Sequence, residues 1–353
     1  MKLLALSLAL SPVLMPVCAA QAPAAGVIYP GGRGPGEGKH VVLVAGDDGE
    51  YHSEEALPQL AKILAVRHGF TCTVLFSINP ADGTIDPRAK GNIPGLEALK
   101  DADLLVLFIR WRDLPDDQMK MLVEYIESGR PIMAIRTGTH PFWFKTSKTY
   151  ERYSWNSKAP GWEGGFGRRV LGATWEEQLG HYGHHGAHGK QSTRAWFAPG
   201  AQGNSILRGI QSGEIWVPTE VYEVPLPQPA TCHALLVGQV LSGLSPTDAP
   251  VPGKLNDPML PVAWTNSFTG EAGKTARVFV STMGAADDLL NEALRRLLVN
   301  AAYWAVGLED QIGPKADVAL VGEYQPHSYL SETFTPGVKP TDLALQPTSV
   351  PRR

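Results

Sequence analysis

The chain has 353 residues, 43% of them hydrophobic and 19% charged, which is ordinary globular composition and long enough for a sizeable core. A formal net charge of −4, with no lysine or arginine run, excludes the electrostatic footprint of a nucleic-acid binder. Nine tryptophans, 37 glycines and 29 prolines point to many fixed loops and some aromatic surface, a composition that suits carbohydrate binding.

Met1-Lys2, the apolar run Leu3 to Val17 and the small residues Cys18 to Ala20 read as a cleaved export signal over residues 1–20. That predicts a periplasmic or extracellular protein. The apolar run is about fifteen residues, short for a membrane span, and no other stretch is long and apolar enough for one. Residues 21–38, rich in Ala, Pro and Gly, read as a linker.

"KHVVLVAGDD" then gives a buried strand and a turn. Ser53 is placed to cap a helix running to about Arg67, with Glu54 and Glu55 at its favourable end. "FTCTVLF" and "ADLLVLFI" (Ala102 to Ile109) are further strands. "PDDQMKMLVEYIES" is a helix with Met119, Leu122, Val123 and Ile126 on one face, stopped by Gly129, and "PIMAI" (Pro131 to Ile135) is a fourth strand. Strand–helix alternation with continuously apolar strands predicts an α/β fold with a doubly wound, mainly parallel sheet. Ligands of that class bind beyond the carboxyl ends of the strands.

Residues 141–200 break the rhythm. They carry Trp143, Trp155, Trp162, Trp175 and Trp196 among many glycines, and read as an insertion over the ligand edge. Strands return in "EIWVPTEVYEV", "ALLVGQVL", "LPVAWTNSF" and "ARVFVSTM", and a helix from Asp287 closes a single domain spanning 39–310. Residues 311–353 form a proline-rich extension. Cys72 and Cys232 both lie in strand-like apolar text and read as buried thiols, with a disulfide as the alternative.

Three polar loops follow the first, third and fourth of these strands. They bring His52, Arg110, Trp111, Arg112, Arg136, Thr137, His140 and Trp143 towards a common edge. His140 and His52 are candidate bases, and Arg136 is a candidate catalytic cation. Arg110, Arg112, Thr137, Trp111, Trp143, Glu220 and Trp264 are candidate substrate contacts. Turn chemistry at Asp47-Asp48-Gly49, surface ion pairs and strand-end packing are the competing structural explanations.

"GHYGHHGAHG", residues 180–189, holds His181, His184, His185 and His188 between glycines that argue against a helix. Imidazole suits a divalent transition metal such as zinc, with His52 or His140 completing a set. Contact with a non-metal ligand, or a plain polar loop, is the alternative. There is no GxSxG elbow and no Walker loop, and no GxGxxG opens the first helix, so no nucleotide cofactor is expected.

"VVLVAGDDGEYHSEEALPQLAKIL", "LLVLFIRWRDLPDDQMKMLVEYIESGRPIMAIRTGTHPF", "GFGRRVLGATW", "PTEVYEV" and the stretch from "LPVAWTNSF" through "ARVFVSTMG" to "NAAYWAVG" together resemble the ThuA-like proteins, named for trehalose utilisation. The resemblance covers roughly residues 38–308 and is strongest to exported members from planctomycete-type bacteria. It implies a flavodoxin-like, class I glutamine amidotransferase-like fold and a role in sugar metabolism, on keto-sugars among others. Arg136-Thr137-Gly138-Thr139 stands where amidotransferases carry their cysteine nucleophile, which argues against glutamine hydrolysis. Ala285 follows Gly284 where relatives carry a histidine. Two functions remain open at this point: an enzyme acting on a sugar by isomerisation, elimination or hydrolysis, and a carbohydrate-binding protein without chemistry.

Overall fold

The computed structural model describes residues 25–175, 188–331 and 333–345. The expected export signal and three of the four loop histidines (His181, His184 and His185) lie outside the described residues. No helix among the described residues is long and apolar enough to cross a membrane.

In chain order the main elements are β1 (Gly26–Tyr29), β2 (His40–Gly46), α1 (Ser53–His68), β3 (Thr71–Phe76), β4 (Leu104–Ile109), α2 (Asp116–Glu127) and β5 (Ile132–Ile135). There follow β6 (Thr193–Phe197), β7 (Ile215–Val217), β8 (His233–Val240), β9 (Leu260–Thr269), β10 (Thr275–Ser281) and α3 (Glu292–Ala305). All ten strands join one sheet in the order β1-β3-β2-β4-β5-β10-β9-β8-β6-β7. Val42, Val44, Leu105 and Leu107 point to the face covered by α2, while Val41, Leu43, Val106 and Phe108 point to the face shared with α1 and α3. Continuous apolar strands are what a sheet buried on both faces requires.

The mainly parallel, doubly wound sheet expected from the sequence is not what forms. Pairing is parallel for β3-β2, β2-β4, β4-β5 and β5-β10, but antiparallel for β1-β3, β10-β9, β9-β8, β8-β6 and β6-β7. The sheet is therefore mixed, with antiparallel contacts in the majority, and not flavodoxin-like. The physical reason lies in the connections. A parallel neighbour needs a long crossover, usually helical, and no α-helix separates the strands from β6 to β10. The sequence between β9 and β10 is a hairpin, in which the Gly270 N–H donates to the Lys274 carbonyl at 3.1 Å and Gly273 takes φ 72°.

Within the stretch expected to be a linker, Gly26–Tyr29 form an edge strand on β3. The described part of the proline-rich extension wraps the domain. Val318, Val321 and Tyr329 are buried, His68 Nε2 donates to the Asp317 carbonyl at 2.8 Å, and the Val338 carbonyl accepts from Ile85 N–H at 2.8 Å. Cys72 and Cys232 are both free thiols, Cys72 buried and Cys232 half-buried.

Candidate functional site

The carboxyl ends of β2, β4 and β5 lie side by side because these strands pair in parallel register. Asp48, His52, Trp111 and Arg136, which sit in the loops after these three ends, have φ of 72°, 55°, 50° and 46°. They are the non-glycine residues with positive φ among the described residues. Such conformations cost about 1–3 kcal/mol each and persist where the surroundings over-determine them, often at functional sites.

Arg136 follows directly on β5. Parallel pairing sets Ser281 of β10 beside Ile135, so Thr282 arrives next to Arg136, and its carbonyl accepts from Arg136 Nη1. Nη2 donates to Glu220 Oε1 at 2.8 Å, and Nη1 also reaches the Glu220 carbonyl at 3.2 Å. Glu220 is carried in by the loop after β7. Thr219 N–H and Oγ1 donate to Asp288, which also accepts from Gly284 and Ala285 N–H, locking that loop to the end of β10. Tyr51 Oη donates to the same Glu220 oxygen at 2.9 Å, and the Arg136 guanidinium lies 4.1 Å from the Tyr51 ring centroid. His188 Nδ1 stands 3.4 Å from Glu220 Oε2. Burial works to raise the Glu220 pKa, but the Arg136 charge and the His188 hydrogen bond outweigh it and hold the carboxyl down at about 2.

A second group adjoins this one. Trp111 N–H donates to the His140 carbonyl at 3.2 Å and Arg112 N–H to the Pro141 carbonyl at 2.7 Å, so the loops after β4 and β5 run together. The His140 ring lies 6.0 Å from Trp111 and 5.6 Å from Trp175, and Trp143 and Trp155 extend the same aromatic wall. The indole N–H groups of Trp111 and Trp155 are buried and have no hydrogen-bond partner among the described residues. Arg110 stacks on Trp111 at 3.9 Å and pairs with Glu50. Burial lowers the Arg110 pKa to about 10, which leaves it cationic at neutral pH. Burial also pushes Glu50 up to about 8, helped by the Asp47 and Glu220 charges and opposed by Arg136.

The hydrogen bonds fix which nitrogen of His140 carries the proton. Tyr222 Oη donates to the Arg136 carbonyl at 2.8 Å, so its own proton is used. The Thr139 hydroxyl, 2.9 Å from Tyr222 Oη, therefore donates to it. Thr139 Oγ1 then accepts at 3.1 Å from His140 Nδ1. That leaves Nε2 as the basic nitrogen. Gly138 is required in this turn: a Cβ there would stand 2.6 Å from the Leu107 carbonyl oxygen.

Most of the expected site residues thus come together: Arg136, Glu220 and His188 in one group, His140, Trp111, Trp143 and Arg110 in the other. Thr137 is buried between them, its hydroxyl without a hydrogen-bond partner among the described residues. Three others lie apart. Arg112 is fully buried and donates to the carbonyls of Arg110, Pro87 and Ala89 and to Ser77 Oγ, which is a framework role. Trp264 is buried in β9 and donates to the Leu171 carbonyl at 2.8 Å. His52 points to the C-terminal segment: Nε2 donates to the Ser328 carbonyl at 3.1 Å and Nδ1 stands 3.5 Å from Glu54 Oε1. Burial works to lower the His52 pKa, but Glu54, with Asp47 and Glu55, holds it up at about 9, while burial raises Glu54 in turn, so the two share a buried proton site turned away from the aromatic wall.

Tyr51, Glu50 and Tyr329 belong to the site and were not singled out as candidates from the sequence, while Tyr222 beside Glu220 and Thr139 beside His140, the latter a conceivable but disfavoured nucleophile, were noted there. Tyr329 comes from the C-terminal segment, stacks on Tyr51 at 6.4 Å and meets His188 edge-on at 5.2 Å. Among the described residues no group of three or more His, Cys, Asp or Glu side chains is arranged to hold a metal ion. The expected metal loop lies mostly outside them, with only His188 inside.

No family model matches the chain, and no curated protein does. Among solved structures, the chain is similar to a protein named as ThuA-like from Parabacteroides merdae ATCC 43184, with 16% identity, 76% of this chain and 90% of that chain covered, and a TM-score of 0.47. A second protein so named, from Bacteroides uniformis ATCC 8492, gives 15% identity over 78% and 95% with a TM-score of 0.46. A β-galactosidase from Rahnella sp. R3 gives 11% identity over 79% of this chain and 33% of that chain, with a TM-score of 0.38. At TM-scores this low, the likenesses carry no argument about what this chain does.

Proposed function

We propose that this chain binds a carbohydrate against the Trp111, Trp143, Trp155 and Trp175 wall and acts on it as an isomerase or lyase of keto-sugars. The observation that carries the reading is the aromatic wall itself, Trp111, Trp143, Trp155 and Trp175 packed edge to edge around the His140 ring, whose Nδ1 is engaged by Thr139. Aromatic faces suit the apolar faces of sugar rings.

A carbonyl acidifies the proton on the neighbouring carbon. His140 Nε2 takes that proton, and the electron pair of the broken C–H bond moves to the carbonyl oxygen as an enolate. Arg110, seated on Trp111 and held by Glu50, is the cation placed beside the wall to stabilise the enolate. The proton of the neighbouring hydroxyl then passes to the enolate oxygen while its own oxygen becomes the new carbonyl, and return of the carbon-bound proton to the former carbonyl carbon completes an isomerisation. Arg136, buried and engaged through both terminal nitrogens by Glu220 and backbone carbonyls, positions the His140 turn and does not meet substrate.

The test is solvent exchange. Keto-sugars are incubated with the protein in deuterium oxide and followed by proton NMR. Loss of the proton next to the carbonyl, abolished by His140→Gln, is expected. Binding without exchange or conversion points instead to a carbohydrate-binding protein, a reading favoured by the closed packing of Arg136 and Glu220, neither of which exposes side-chain surface.

A further inference from the structure

Trp143 faces two ways. Its ring meets Trp111 at 5.7 Å and Trp155 at 6.1 Å in the inner wall, and it also lines an outer cleft of about 570 Å³ with Phe144. The rest of that cleft is polar, with Lys148, Arg152, Asn156, Ser157 and Lys158 along its sides. The volume lies within the usual range for a small-molecule site, roughly 300–1,000 Å³.

Of the three cations that line the cleft, Lys148, Arg152 and Lys158, two are held by carboxylates. Lys148 pairs with Glu151 at 3.1 Å and Arg152 with Glu271 at 2.8 Å, and Asp116 accepts from Ser147 and from Thr149. With Lys148 and Arg152 held by carboxylates, the lining gathers no cluster of cations of the kind that a phosphate or another polyanion requires. Its polar lining is equally unsuited to an acyl chain. What it offers is a dense set of donors and acceptors beside Trp143, whose ring carries the Lys145 ammonium 3.9 Å from its centroid, with an open side to solvent. That is the chemistry of a neutral polyol ring.

We infer that the outer cleft beyond Trp143 is a second sugar subsite, so that the ligand is a neutral oligosaccharide whose terminal unit lies at the inner aromatic wall and whose next units occupy this cleft. The inference rests on the carbohydrate reading of the inner site and specifies its substrate class. The two sites share Trp143, which sets them side by side. Lys158 and Asn156 are exposed on the cleft wall, where substitution does not disturb the core.

A glycan array of neutral mono-, di- and trisaccharides, followed by calorimetry on the binding sugar and its chain-length series, tests the inference. The expected result is a trisaccharide bound at least about tenfold more tightly than its monosaccharide. The Asn156→Ala/Lys158→Ala variant, checked for an unchanged melting temperature, should cut that ratio to below about threefold. A sugar that binds with equal affinity at every length, or a length advantage that survives the double variant, overturns the second subsite and leaves the inner reading standing. A protein that binds no sugar on the array overturns the inner reading, and the subsite falls with it.

Discussion

Arg136 and Glu220 form an ion pair in which neither side chain is exposed, Nη2 to Oε1 2.8 Å, although one follows a strand at the centre of the sheet and the other follows a strand at its edge. The pair is the pin between the two halves of the sheet. Removing one partner of a buried pair strands the other charge and costs about 3–5 kcal/mol. Glu220→Ala should therefore lower stability by that order, read as a shift in the urea unfolding midpoint with an unchanged slope. A loss within about 0.5 kcal/mol, the range of ordinary surface substitutions, would mean that Arg136 finds other compensation.

His140 depends on Thr139 for its tautomer. Thr139→Val removes the acceptor for Nδ1–H and leaves a buried donor unsatisfied, at about 1–3 kcal/mol. Nitrogen-15 NMR of the imidazole should show Nδ1 protonated in the parent protein and a mixed or reversed tautomer in the variant. Deuterium exchange into a keto-sugar should fall with it. An unprotonated Nδ1 in the parent protein contradicts the hydrogen-bond chain from Tyr222.

The C-terminal segment is held through His52. Its folded pKa is raised to about 9 from an ordinary 6.5, by Glu54 with Asp47 and Glu55 against burial. A raised histidine contributes stability that is fully present below 6.5 and is lost as pH rises through 9. A shift of this size is worth about 3 kcal/mol. Beside it, the His327 N–H and ring Nδ1 both meet the Glu55 carboxylate, at 2.8 and 2.5 Å. Protection factors over residues 323–331, corrected for the base-catalysed intrinsic rate, should fall as pH rises from about 7 to about 10. His52→Asn should exchange quickly at both ends of that window. Equal protection across the window in the parent protein would remove His52 from the latch.

Tyr329 should matter out of proportion to its place near the chain's end. It is buried and packed between Tyr51 and His188. Tyr329→Ala should cost about 3–5 kcal/mol, as for other large aromatic deletions. Sugar binding should weaken in the same variant, because Tyr51 and His188 hold the Glu220–Arg136 pair that positions the His140 turn. Tyr329→Phe, which keeps the ring, should restore most of the stability.

Much of the site was legible because chemistry and local structure coincide there. The apolar runs that became β2, β4 and β5 end abruptly in "GDDGEYH", "RWRD" and "RTGTHPFW", and polar residues at strand ends have few other places to go. Which of them meet was not legible. Arg112 and Arg110 are two residues apart, yet the φ of 50° at Trp111 sends one into the framework and the other onto an indole. His52 and His140 look alike as text, but Glu54 ties His52 into a shared buried proton site, while Thr139 leaves His140 a base.

The sequence by itself determined the local elements: α1 between its acidic start and Gly69, the continuously apolar strands, the aromatic insertion and the polar strand ends. These follow from side-chain period, capping and turn chemistry, all of which act over a few residues. Only the tertiary structure decided that β10 lies beside β5 and β9 beside β10, which turned an expected parallel sheet into a mixed one. The same long-range pairing brought Thr282, Glu220 and Tyr329 to Arg136 and Tyr51. Strand order and side-chain convergence are set by packing between segments far apart in the chain, and no local pattern encodes them.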